Sequence, residues 1–142
     1  MIEAFRQLPY LIVIAVTIVG FVFSFIWYSF LFGKAWMTEM KIDPAAPRPS
    51  MAPYIVKSLI YTFISTLGLA WIIIVRPIYG REHGAAVGLV VGVLIVGARY
   101  LNSGVWEKRS CKLLAINVGH EVFLFVLQGA ILGRWIWHGF GF

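Results

Sequence analysis

Four long apolar stretches dominate the sequence and decide what the chain can fold into. They cover approximately Leu8–Phe32, Tyr54–Val75, Gly84–Trp106 and Leu113–Trp137. Each is close to the roughly 20 residues that an α-helix needs to cross a hydrocarbon core about 30 Å thick. Backbone polar groups in lipid must be satisfied within the segment, and the stretches lack the two-residue alternation of a membrane barrel. The sequence therefore predicts an all-α integral membrane four-helix bundle, with residues 1–142 in a single transmembrane domain.

The composition excludes an ordinary soluble protein. Hydrophobic residues make up 61% of the 142 residues and charged residues only 13%, too few to cover a soluble core of this size. The first stretch follows Glu3 and Arg6, as in a signal peptide. Its apolar length is about twice that of a signal-peptide core and no small-residue cleavage site follows, so we expect a retained helix.

The connections between the stretches are short, with one exception. The connection from Lys34 to Pro53 is long, and its stretch "DPAAPRPSMAP" carries four of the six prolines, which resist helix formation and predict an extended surface segment. "RPIYGREH" and "EKRSC" form the other two connections. Such short links predict antiparallel neighbouring helices.

The basic residues near the helix ends predict the orientation in the membrane. Seven lie on one side and four on the other, which favours a bacterial cytoplasmic (inner) membrane protein with both termini outside the cytoplasm. The net charge of +6 fits attraction to anionic headgroups, and no nucleic-acid-binding element is visible. The cytoplasmic group would be Lys34, Lys41, Arg48, Lys57, Lys108, Arg109 and Lys112, and the outer group Arg6, Arg76, Arg81 and Arg134.

Glycines and aromatic residues indicate how the helices pack and where they meet the membrane surface. Small residues spaced by four let helix backbones approach closely, and we favour packing inside the bundle over a homodimer face. Aromatic side chains near the span ends are typical of interfacial belts. The glycines are Gly84, Gly88 and Gly92 in the third stretch and Gly129 and Gly133 in the fourth; the aromatics are Trp27, Tyr28, Trp36, Trp106, Trp135 and Trp137.

Two charged residues lie deep inside the last two stretches. Arg99 precedes Ser110, in the middle of the third connection, by eleven residues, and Glu121 follows it by eleven. They should therefore lie at equal depth in adjacent antiparallel helices. An uncompensated charge there costs at least about 2.5–3.5 kcal/mol. We expect both to face inward and to form an ion pair.

Helical spacing extends this pair into a buried polar cluster. Arg99 follows Gly92 by seven residues, which in a regular α-helix places both on one face. Such a cluster is either a structural clamp between helices, the favoured interpretation, or a site for a proton, an ion or a small ligand. The predicted members are Arg99, Asn102, Asn117, His120, Glu121 and Gln128.

Metal and catalytic motifs are weak. "HEVFL" begins like a zinc-protease helix, but that motif needs a histidine where Leu124 stands. His120 and His138 are about 27 Å apart along one helix, and His83 with His138 would still lack a third ligand. His120 could hold a haem-type metal only in a pocket completed by a partner, and an ordinary hydrogen-bonded histidine is favoured. We expect no metal, no cofactor and no enzyme activity.

Several short pieces resemble a known family. They are "IWYSFLFGKAWM", Asn102, "WEKRSCKL", "INVGH" and "GAILG", spread over positions from about 26 to 133. These pieces are similar to the small bacterial membrane family catalogued as domain of unknown function seventeen-sixty-one. The resemblance implies a four-helix membrane protein and supplies no reaction. Glu121 lies outside the matching pieces.

Two functions remain open from the sequence. The favoured one is a non-catalytic packing or accessory subunit of a larger membrane assembly, because the glycine and aromatic faces offer contact surface. The alternative is a small oligomeric transporter or channel for an ion, a proton or a small solute, which would use the polar cluster. The expected partners are the lipid bilayer and other membrane subunits or further copies of this chain.

Overall fold

The computed structural model describes residue 6 and residues 8–43, 45–47, 50–75 and 80–139, without the side chains of residues 137–139. This part of the chain contains no β-strand. It confirms the four-helix membrane architecture expected from the sequence. The four spans are Tyr10–Leu31, Ala52–Ile74, Arg81–Trp106 and Cys111–Ile136, within a few residues of the predicted limits.

The described residues contain six α-helices and two π-helical segments; five of these helices and both π segments build the spans. A short helix, Gly33–Glu39, precedes the proline-rich stretch of the first connection. Pro53 lies in the first turn of α3, where its missing N–H removes no helical hydrogen bond. The elements are α1 Tyr10–Ile26, a π segment Trp27–Leu31, α2 Gly33–Glu39, α3 Ala52–Ile74, α4 Arg81–Val90, a π segment Val91–Gly97, α5 Ala98–Trp106 and α6 Cys111–Gly139.

One half of the bundle is filled by apolar side chains. Val13 of α1, Leu69 and Ile73 of α3, and Leu132 and Ile136 of α6 are almost fully buried against one another. They belong to the start of α1 and to the ends of α3 and α6, so they occupy the same end of the antiparallel bundle. This packing holds the first, second and fourth spans together at that end.

Many large apolar side chains point away from the bundle. Leu11 of α1 is 84% exposed, Leu94 of the third span 67% and Phe123 of α6 59%. Burial in hydrocarbon is worth about 25 cal/mol for each Å² of apolar surface, so a surface of this kind is stable only in lipid. The spans and this surface make the chain a multi-pass membrane protein.

The third and fourth spans are in backbone contact through glycines. A Cβ atom added to Gly84 would collide with the carbonyl oxygen of Gly129, and one added to Gly88 would collide with that of Phe125. A Cβ on Gly133 would meet Gly80 in the same way. The glycine faces are therefore contacts inside the bundle, where only a residue without a side chain fits.

The two π segments widen the helices locally. The amide of Phe32 donates to the carbonyl of Trp27 over 2.9 Å, and the amide of Ala98 donates to that of Val93, each five residues back. A π turn holds one more residue than an α turn, so residues beyond it are rotated by about 100° from the regular α-helical register. This rotation decides which residues of the third span face the bundle.

Gly88→Ala is expected to destabilise the protein, because its Cβ would be forced into the backbone of Phe125. Overpacking of this kind costs about 1–3 kcal/mol. The matched control is Gly68→Ala in α3, where a Cβ meets nothing within 4 Å and alanine favours the helix. The measurement is thermal unfolding in detergent. Equal melting temperatures for the two variants would show that the close contact does not hold the bundle together.

Candidate functional site

A polar pocket lies in the half of the bundle that the apolar core leaves unfilled. Its volume is about 640 Å³, and residues of all four spans line it. Its hydroxyl groups come from three serines, one threonine and four tyrosines. Its other ionisable groups are Lys57 of α3 and His120 and Glu121 of α6. A cavity of this size suits a small organic molecule, and ionisable groups within a membrane span indicate a functional site.

His120 is hydrogen-bonded on both ring nitrogens. Its Nε2 lies 2.8 Å from the Oγ of Ser24 in α1, and its Nδ1 lies 3.1 Å from the Oε1 of Glu121. The Ser24 hydroxyl donates to the carbonyl oxygen of Gly20 over 2.9 Å, as serine hydroxyls in helices commonly do. With its hydrogen on Gly20, the Ser24 oxygen can accept from His120, and this arrangement has a hydrogen on Nε2.

Three aromatic rings of the first span surround the His120 ring. Phe23 stacks on it at a centroid distance of 5.8 Å, Tyr28 lies at 4.8 Å, and Trp27 meets it edge-on at 6.0 Å. The π segment begins at Trp27, and its widened turn lets two consecutive residues approach the same imidazole. His120 is left only 5% exposed, so its hydrogen bonds are shielded from competing solvent.

Trp27 and Tyr28 also bind the fourth span directly. The indole Nε1 of Trp27 donates to the carbonyl oxygen of Ile116 over 3.2 Å, and the Tyr28 hydroxyl donates to the Oδ1 of Asn117 over the same distance. Trp27 was expected in an interfacial belt and is instead only 8% exposed inside the bundle. Trp106, at the end of the third span, is 81% exposed, as an interfacial residue would be.

Gln128 occupies a second polar position about 12 Å further along α6. Its side chain is fully buried, and its Nε2 donates to the Oγ1 of Thr66 in α3 over 2.9 Å. A side chain at Gly20 would collide with this amide, so the glycine makes room for Gln128. The Gln128 Oε1 has no hydrogen-bond partner among the described residues. Gln128 therefore lies beyond the pocket floor and is not one of its lining residues.

Arg99 and Asn102 lie outside the cluster to which the sequence assigned them. Both are exposed, and no ion pair joins Arg99 to Glu121 in the part of the chain that the structure describes. The π segment between Gly92 and Arg99 explains this correction, because its extra residue rotates Arg99 away from the glycine face. The carboxylate of Glu121 instead contacts the neighbouring imidazole of His120.

Most of the residues that line the pocket were not predicted from the sequence. Tyr54, Ser58, Tyr61 and Ser65 recur every three or four residues along α3 and line the pocket on one face of that helix. This periodicity was a usable signal, although hydroxyl side chains are common in membrane helices and carry little weight without a partner. The role of Ser24 had no such signal, because a single serine in an apolar stretch does not indicate its contacts.

The three histidines were the candidate metal ligands in the sequence. Among the described residues, no three His, Cys, Asp or Glu side chains are grouped so that they could hold a metal ion. The His83 Nε2 is buried without a hydrogen-bond partner in this part of the chain, and the side chain of His138 lies outside the described residues. Both nitrogens of His120 are already engaged within the protein.

Comparison with known proteins gives one family. A family profile described as "Protein of unknown function (DUF1761)" matches residues 11–133, which includes all four spans almost completely. Searches of curated proteins and of solved structures found no match. The profile confirms the resemblance carried by the short sequence pieces, and its description assigns no activity. This multi-pass membrane protein therefore belongs to the family described as "Protein of unknown function (DUF1761)".

Proposed function

We propose that this protein carries a small polar or charged solute across the membrane, binds it in the polar pocket, and catalyses no reaction of its own. The observation that supports this function is the pocket itself, about 640 Å³ in volume and lined by Lys57, His120 and Glu121 inside membrane spans. Placing an ionisable group at such depth costs free energy unless the group is paired with an opposite charge or is hydrated, and such groups are commonly functional. The pocket raises transport above the accessory-subunit role that the sequence favoured.

The depth of the pocket supports a carrier that is open on one side. Lys57 lies five residues into α3, about 7.5 Å from its start, and Glu121 lies ten residues into α6, about 15 Å from its start. Both helices start at the same end of the bundle. The apolar core around Leu69 and Leu132 fills the other end. A solute could therefore enter from one side and reach roughly the middle of the membrane.

The orientation of this pocket follows from the basic residues. Glu39 of α2 accepts a hydrogen bond from Ser110 and lies 3.7 Å from the Lys112 ammonium, so the first and third connections share one end of the bundle. Most of the basic residues belong to this end, which supports a cytoplasmic location. In this orientation the protein lies in a bacterial cytoplasmic membrane, its pocket opens to the cytoplasm, and both termini are outside.

A topology reporter fused after Phe142 is therefore expected to behave as periplasmic. A second reporter, inserted after Ala46 in the proline-rich connection, should behave as cytoplasmic, because the basic flanks remain on that side. Paired alkaline phosphatase and fluorescent protein fusions measure both positions. Activity on the opposite sides would reverse the orientation and open the pocket to the periplasm.

Solute movement can be tested by filling the pocket. Ser58→Trp places an indole inside the pocket, whereas Ile60→Trp adds the same bulk to an exposed position on the same helix outside it. In proteoliposomes tested with amino acids, organic acids, sugars and monovalent ions, at least one solute should cross with the wild type. Its rate should fall about tenfold or more in Ser58→Trp, equivalent to about 1.4 kcal/mol in the barrier.

The Ile60→Trp variant should keep the wild-type rate. Equal rates for the two tryptophan variants would show that the solute does not cross the membrane through the pocket. Liposomes that stay impermeable to the whole panel, while the protein remains folded in them, would reject transport.

A specific observation favours the accessory role as a second candidate. Arg99 and Asn102 are exposed on the third span, and Arg99 lies about 10 Å inside its end at Trp106. A guanidinium at such depth is stabilised by an acidic or carbonyl-bearing surface of another subunit, or of a second copy of this chain. The broad apolar surface around it would continue such an interface.

Purification from native membranes, followed by mass spectrometry of the intact complex, tests this second candidate. A stoichiometric partner that is lost in Arg99→Leu would support the accessory role. Lys34→Leu removes a charge from the exposed surface of α2 and should keep the partner. A wild type without any other polypeptide would reject the accessory role and leave the carrier, as a monomer or a homo-oligomer.

A further inference from the structure

We propose that the pocket binds a small organic carboxylate together with one proton, which the His120–Glu121 pair holds. This inference rests on the proposed carrier function and specifies its solute and its coupling ion. Three observations support it. They are the hydrogen bonds of His120, the positive charge of Lys57 in the pocket, and the pocket hydroxyl groups that donate to no acceptor among the described residues.

In the arrangement that we propose for the hydrogen bonds, His120 and Glu121 share a proton. When the Ser24 hydroxyl gives its hydrogen to Gly20, the Nε2 of His120 donates to the Ser24 oxygen. The 3.1 Å contact between Nδ1 and Oε1 then holds only with a proton between these atoms. The pair is either an imidazolium with a carboxylate or a neutral imidazole with a carboxylic acid, and its net charge is zero in both cases.

The charge balance of the pocket follows from this pairing. The titratable groups that face the pair are Tyr28 of α1, Tyr100 of α5 and, from α3, Lys57 with Tyr54 and Tyr61. With the pair neutral, the Lys57 ammonium is the one full charge among the pocket-lining residues. Lys57 forms no ion pair with another described residue. The protonated pocket is therefore electropositive.

The hydroxyl groups of the pocket form two sets. Those of Ser24, Tyr28 and Ser65 donate to acceptors within the protein. The other five hydroxyls donate to no other described residue, and two of them, Ser58 and Tyr61, follow Lys57 by one and four positions on α3. Hydroxyl donors beside a lysine ammonium fit a carboxylate, which accepts several hydrogen bonds and carries one negative charge.

Loss of the shared proton would reverse this preference. The bare Nδ1 would then face the Glu121 carboxylate, and the pair would carry one negative charge at the base of the pocket. That charge repels an anion and offsets Lys57. Anion and proton therefore bind together, one of each, and the loaded pocket has the same net charge as the empty deprotonated one. Such a carrier moves a carboxylate with one proton and no net charge.

Benzoate is a suitable probe, because its ring can pack on the tyrosine rings and on Leu124 of the pocket wall. Titration calorimetry on the purified protein in lipid-free detergent, repeated between pH 5 and pH 9, measures its affinity. The affinity should fall with rising pH, approaching tenfold for each pH unit once the pair loses its proton. In the pH range where the free pair has lost its proton, each bound benzoate should take up about one proton, which the same experiment in buffers of different ionisation enthalpy reports.

Glu121→Gln separates the proton from the anion site. The glutamine amide can donate to Nδ1 and cannot become a carboxylate, so benzoate should still bind, and the loss of affinity that follows deprotonation of the pair should disappear. Lys57→Gln should weaken binding about tenfold or more at every pH, whereas Lys34→Gln, outside the pocket, should bind as the wild type does. Thermal unfolding of each variant confirms that it is folded before titration.

The outcomes distinguish this inference from the carrier function on which it rests. Benzoate affinity that does not change with pH in the wild type, or that keeps its pH dependence in Glu121→Gln, would overturn the coupling. Binding of tetramethylammonium or a sugar in the pocket without benzoate binding would overturn the carboxylate and leave a carrier for another solute. Binding of inorganic phosphate in place of benzoate would replace the carboxylate with a different anion. Coupled benzoate binding without flux in proteoliposomes would reject the carrier and keep the site.

Discussion

The close backbone contact between α4 and α6 is the constraint on which the rest of the structure depends. Gly84, Gly88, Gly129 and Gly133 bring the two helices together without intervening side chains. In lipid there is little hydrophobic drive between helices, so van der Waals contact at such short range is a main source of association. The contact fixes the third span against the fourth and leaves the other side of α6 to the first and second spans.

Regular α-helical geometry does not continue along the third span beyond this contact. The π segment Val91–Gly97 takes up an extra residue, and the span beyond it is rotated relative to the glycine face. Tyr100 consequently lines the pocket, whereas Arg99 next to it is exposed. The π segment of the first span acts in a comparable place, since Trp27 and Tyr28 reach the fourth span from its widened turn. Two local departures from the α-helix thus shape both sides of the pocket.

One half of the bundle is a packed apolar core, and the other half contains the polar pocket. Apolar side chains of α1, α3 and α6 fill one end, and the pocket with His120 and Glu121 occupies the other. The buried Gln128–Thr66 hydrogen bond lies between these halves and satisfies part of the polar surface at the pocket floor. The apolar packing at one end holds together helices that also line the pocket at the other end. It also explains why a protein of only 142 residues can contain a cavity.

The sequence by itself determined the four spans, their approximate limits and the membrane as solvent, because lipid imposes a length and a composition on each helix separately. It also identified Asn117, His120 and Gln128, the buried polar residues of α6. The partners of these residues were decided only by the tertiary structure. Ser24 and His120 are 96 positions apart, and hydropathy contains no information on which helix faces meet. The exposed position of Arg99 likewise depends on the π segment Val91–Gly97, whose extra residue shifts the helical register, and the spacing of residues along one helix does not reveal such a shift.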